Sequence, residues 1–81
     1  PFNPRTTISF ETARPSRAAI EIYDVRGRLV RRLADRMFAT GRHTVVWDGK
    51  DSRGAEPASG IYFTRLRTDG SDEVRKMMLV R

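Results

Sequence analysis

Eighty-one residues without a single cysteine make one small domain with a thin core, and neither a disulfide nor a thiolate metal site can brace it. The formal charge is +6, and the basic residues, nearly all Arg, are scattered through every segment. That scatter reads as a solvated surface rather than a nucleic-acid stripe, and no apolar run approaches the roughly 18 residues that a membrane-spanning helix needs.

The chain begins at Pro1 without Met, which reads as a piece of a longer protein with any signal peptide upstream. Residues 1–5 hold two prolines and an Asn and form a stiff leading segment. Thr6 to Glu11 alternates as a strand, with Ile8 and Phe10 inward. Ala13 to Arg17 carries Pro15 and turns. Ala18 to Tyr23 is the second strand, with Ala18, Ile20 and Ile22 on the core face. Asp24-Val25-Arg26-Gly27 is a hairpin turn that places Gly27 in the left-handed region. Arg28 to Leu33 is the third strand; Leu29, Val30, Leu33, Met37 and Phe38 also fit a helical spacing, but the segment has no cap and follows a hairpin signal. Asp35 to Gly41 loops back.

His43 to Trp47 is β-branched and aromatic, with Val45 and Trp47 on one face. Trp47 is the single tryptophan and the natural centre of the core. Asp48-Gly49, Arg53-Gly54 and Pro57 make a long turn. Gly60 to Leu66 is the fifth strand, and Arg67 to Asp72 is a further hairpin turn. Glu73 to Val80 closes the chain, with Val74, Met78 and Val80 on the core face and Met77 and Leu79 facing outward. A short seventh strand has room in Asp35 to Ala39 or in Asp51 to Ala58. Short strands separated by Gly, Asp and Pro turns predict an all-β fold, an Ig-like or fibronectin III-like antiparallel sandwich of about seven strands. Its core draws on Ile8, Phe10, Ile20, Ile22, Val30, Leu33, Val45, Trp47, Leu66 and Met78 or Met77.

The pattern offers little for catalysis. His43 has no Cys or second His with which to share a metal. A triad of His43, Ser59 and Asp48 lacks a Gly-x-Ser-x-Gly elbow, and so small a sandwich offers little cleft. The carboxylates Asp48, Asp51 and Glu56 are not at EF-hand spacing, and Lys50 and Arg53 intrude among them; they read as turn-closing groups rather than a Ca²⁺ site. No cofactor, metal or catalytic residue is expected. Tyr23 and Phe63 are candidates for an exposed apolar patch of the protein-binding kind.

An ordered set of short pieces remains. It runs Asn3-Pro4-x-Thr-Thr-Ile-Ser-Phe, Ile22-Tyr23-Asp24-Val25-x-Gly27-Arg28-x-Val30, Ala39-x-Gly41-x-His43, Trp47-Asp48-Gly49, Ser59-Gly60-Ile61-Tyr62-Phe63 and Lys76-Met77-Met78-Leu79. This set resembles the type A C-terminal sorting domain of proteins exported by the type IX secretion system. Trp47-Asp48-Gly49-Lys50-Asp51-x-x-Gly54 also looks like the Ig-like domain of the flagellar hook-capping protein, and the segment from Asp51 to Pro57 is expanded as in those relatives.

The resemblance to sorting domains implies a single non-catalytic module over residues 1–81. It would direct an upstream cargo domain of the same chain through the periplasm to the cell surface or medium. The implied partners are the type IX translocon and a sortase-like enzyme, with no nucleic acid and no membrane insertion. The alternatives are a structural Ig-like module of a hook-cap protein and an accessory carbohydrate-binding module of a secreted glycosidase. Under the sorting reading the closing strand is the recognition element. Lys76, Met77, Leu79 and Arg81 are its candidate partner-binding residues: Met77 and Leu79 as an outward apolar pair, Lys76 and Arg81 as charges that steer.

Overall fold

Six antiparallel strands build the domain in a computed structural model that describes residues 5–81. They are β1 (Thr6–Thr12), β2 (Ser16–Tyr23), β3 (Leu29–Phe38), β4 (Gly41–Trp47), β5 (Gly60–Thr68) and β6 (Ser71–Leu79). β1 pairs with β4 in a two-stranded sheet; the other sheet has the order β3-β2-β5-β6. The two sheets face one another as an Ig-like sandwich, and β6 lies at an edge. The expectation of a stiff leading segment falls largely on residues outside the described ones.

The core between the sheets is Ile8, Phe10, Ala18, Ile20, Ile22, Phe38, Trp47, Tyr62, Leu66 and Leu79. Val30, Leu33, Ala34, Val45 and Met77 pack against it. Trp47 is central as expected. Its indole N–H donates to the Lys50 carbonyl at 2.9 Å, so the buried ring leaves no unpaired donor. At the other end Phe10, Phe38 and His43 cluster, with Phe10–Phe38 centroids 5.1 Å apart.

Three expectations need correction. There is no seventh strand among the described residues. Asp35 to Phe38 continues β3 instead, pairing back to Ser16–Ala19, and 51–58 remains a turn. The β2–β3 ladder is interrupted twice, so the alternation of β3 does not run through. Register shifts fall between Ile20 and Glu21 and between Ile22 and Tyr23. They let Leu33 and the adjacent Ala34 both pack on the core, which breaks the period-two pattern.

The third correction is to the faces of β6. Val74, Met78 and Val80, expected on the core face, are exposed, whereas Leu79 is buried and Met77 packs on the core. Hairpin geometry dictates this. Asp69-Gly70 is a two-residue connection closed by the Thr68–Ser71 pair. Residues opposite one another share a face, so Leu66, Thr64 and Tyr62 bring Glu73, Arg75 and Met77 to the inner side. The Thr64 hydroxyl donates to the Met77 sulfur at 3.2 Å.

The turn after β2 behaves as the sequence implies. Gly27 has φ of +80°, and its N–H donates to the Asp24 carbonyl. The Asp24 carboxylate accepts from the N–H groups of Arg26 and Arg28. Nothing lies within 4 Å of a Cβ built at Gly27, so a side chain there meets only backbone strain. Gly60, which opens β5, also has positive φ, +150°. We expect Gly27→Ala to lower stability by about 1 kcal/mol. An unchanged denaturation midpoint would show that the turn relaxes out of the left-handed region without cost.

Candidate interaction surface

The sorting reading chose four residues on the last strand, and the fold divides them. Lys76 is exposed on the outer face. Met77 and Leu79 face the core and are not available as an outward apolar pair. Arg81 is already engaged. Its backbone N–H donates to Ser59 Oγ, and its guanidinium donates to the carbonyls of Pro57 and Gly49 and lies 3.6 Å from Glu56. Arg81 therefore ties the long 48–59 loop to the end of β6. The side chains that β6 does present on its outer face are Asp72, Val74, Lys76 and Met78.

Beside them lies the apolar patch named from the sequence. Tyr23 and Phe63 sit opposite each other in the β2–β5 register. Both are half-buried, and with Gly27, Arg65, Asp72 and Val74 they line an open depression of about 400 Å³. Its rim is fixed by the Arg65–Asp72 pair, two parallel bonds of 3.0 and 2.7 Å. That pairing holds the Asp72 carboxyl below its ordinary pKa and raises that of Arg65.

Next to the patch is a feature that sequence reasoning missed. Glu21 is on the outer face of the sheet yet only 1% exposed. Arg32 grips one carboxylate oxygen with two nitrogens, while Arg67 and the Tyr23 hydroxyl donate to the other. Burial pushes its pKa up, but the bonds from Arg32, Tyr23 and Arg67 outweigh burial and hold it below the usual value. The partners are distant in sequence, so only the register of β2 with β3 and β5 assembles them.

The groups weighed for chemistry are committed elsewhere. His43 Nε2 is 2.6 Å from the Ala39 carbonyl, and its ring packs against Phe10 and Phe38. Ser59 Oγ accepts from Arg81. Asp48 accepts from the Lys50 N–H and from Arg31, which lowers its pKa. Asp51 accepts from the N–H groups of Arg53 and Ala55. The loop carboxylates thus close turns, and no cluster of three or more metal-type ligands occurs among the described residues. Much of the arginine charge is answered locally, as in Arg17–Asp35, Arg42–Glu11 and Arg75–Glu73.

The family comparison bears on this geometry directly. The family model of the FlgD Ig-like domain matches residues 2–72. The chain belongs to the FlgD Ig-like domain family. Among solved structures it is similar to the crystal structure of FlgD from P. aeruginosa, with 28% identity and a TM-score of 0.71. The match covers 94% of this chain and 61% of that one, so the chain corresponds to part of that FlgD. A search of curated proteins returns no match. The FlgD-type Ig-like sandwich is thereby established. The match of the family model ends at residue 72, so β6, which carries Val74, Lys76 and Met78, lies almost wholly beyond it.

Proposed function

We propose that this domain is a non-catalytic, structural Ig-like module of a larger protein, of the kind found in the flagellar hook-capping protein. The family match over residues 2–72 carries the reading. The commitment of His43, Ser59 and the loop carboxylates to structural bonds supports it. A carbohydrate-binding role has less support, because Phe10, Phe38, Trp47 and Tyr62 are all spent in the core.

A second reading, the type IX sorting module, draws on one specific observation. The Lys76-Met77-Met78-Leu79 piece forms an edge strand outside the span matched by the FlgD family. Under that reading the partners are the translocon, a sortase-like enzyme and an upstream cargo domain, and the destination is the cell surface or medium. Its contact residues become Val74, Lys76 and Met78 in place of Met77 and Leu79. A single fusion separates the two readings. The domain is joined to the C-terminus of a fluorescent cargo carrying a Sec signal in a type IX-competent host. The structural-module reading expects the cargo to stay in the periplasm. Export that depends on residues 73–81 would overturn it in favour of sorting.

A further inference from the structure

The β6 edge carries a charge order that is its own complement. From Asp72 to Lys76 it reads Asp-Glu-Val-Arg-Lys: two acids, an apolar centre, two bases. In the closed hairpin the Thr68–Ser71 pair is a hydrogen-bonded one, and bonded pairs alternate with non-bonded pairs along the ladder. The backbone groups of Asp72, Val74, Lys76 and Met78 therefore point away from β5, toward the open edge. Among the described residues β5 is the one strand that pairs with β6.

We infer that this edge pairs with a second copy of the same chain, antiparallel and centred on Val74. The two-fold register places Val74 opposite Val74 of the second copy. Glu73 then faces Arg75, and Asp72 faces Lys76, on each side of the axis. Asp72, Val74 and Lys76 exchange main-chain bonds, since all three have outward-pointing backbone groups. Glu73 and Arg75 already bond within one strand at 2.6 Å, so the pairing makes them an alternating quartet.

Other symmetric registers lose this match. Centring on Arg75 sets Arg against Arg, on Glu73 sets Glu against Glu, and on Lys76 sets Lys against Lys. Each juxtaposes like charges at the axis, which is destabilising. Charged edge residues ordinarily keep strands from pairing. Here the charges bar these three registers and admit the one centred on Val74. Val74, 59% exposed, supplies the apolar contact at the centre. This inference goes beyond the structural-module reading and does not depend on it, because it uses only the edge and its charges.

The test is mass against concentration for the 81-residue chain, by sedimentation or light scattering. The wild-type mass should climb from 9.3 kDa toward twice that value. Val74→Lys and Val74→Glu should each raise the dissociation constant by more than about tenfold, and mixing the two should restore association. Restored pairing in the mixture also shows that both variants are folded. Register is read by cross-linking, since the chain has no native thiol. Val74→Cys places two thiols across the axis, with Cα atoms about 5.5 Å apart, within disulfide range. Lys76→Cys leaves them about 13 Å apart along the strands. Efficient dimer formation by the Val74→Cys variant alone supports the register. A wild-type mass that stays monomeric at every concentration, no rescue in the mixture, or equal cross-linking by both cysteine variants would overturn the proposal.

Discussion

Trp47→Ala is expected to lower the unfolding free energy by about 3–5 kcal/mol, the range for deleting a large buried aromatic. Trp47 is 1% exposed and closes β4 where the long loop begins. Its ring meets Tyr62 edge-on at 5.6 Å, joining the small sheet to the large one. Its N–H and Arg31 Nη1 both donate to the Lys50 carbonyl. Truncation therefore opens a cavity between the sheets and also loosens the loop. In a domain this small the loss rivals the whole stability, so the variant should be largely unfolded near room temperature. Trp47→Phe provides the control. It keeps much of the packing and removes the N–H, and the Lys50 carbonyl retains its Arg31 donor. A cost of about 1–2 kcal/mol is expected there. Urea melts of both variants decide the matter. A change below about 1 kcal/mol for the alanine variant would mean that the sandwich closes without Trp47.

The sequence made most strands legible because their alternation survives in the fold. Ile8 and Phe10 on β1, Ala18, Ile20 and Ile22 on β2, and Trp47 on β4 all face inward as their spacing demands. β3 escaped where the bulges shifted its phase, so 35–38 looked like a loop. β6 escaped for a different reason. Its two faces are similarly apolar, Val74 and Met78 against Met77 and Leu79, so periodicity alone has no preference. The deciding signal was available in Asp69-Gly70. Reading these as a two-residue hairpin sets Glu73 opposite Leu66, and the parity of every later residue follows. The buried Glu21 had no comparable signal. A glutamate amid Ile20 and Ile22 reads as solvent-facing, and the cations that cover it come from β3 and β5. The candidate interaction surface was half legible: Tyr23, Phe63 and Lys76 were named, whereas Val74 and Met78 were assigned to the core.

That carboxylate makes a pH-dependent prediction. Glu21→Ala is expected to cost about 2–3 kcal/mol. Removing one partner of a fully buried pair costs about 3–5 kcal/mol. Arg32 and Arg67 are 55% and 43% exposed, however, and can regain water, so the loss is smaller. Glu21→Leu combined with Arg67→Met should recover much of it, because no buried charge then lacks a partner. The pH profile identifies the mechanism. The folded-state pKa of Glu21 is lowered from 4.5, so near that pH the unfolded chain binds more protons than the folded one. Stability from this group is complete above about 4.5 and is lost as pH falls through the lowered value. Asp24, Asp48 and Asp72 are likewise lowered, from 3.8, and act in the same direction further down. Wild-type urea midpoints should therefore drop as pH goes below about 4.5, and Glu21→Gln should show a shallower drop without abolishing it. Parallel pH profiles for wild type and Glu21→Gln would show that the buried carboxylate titrates alike in both states. The two arginines would then serve the packing of the outer face rather than the charge of Glu21.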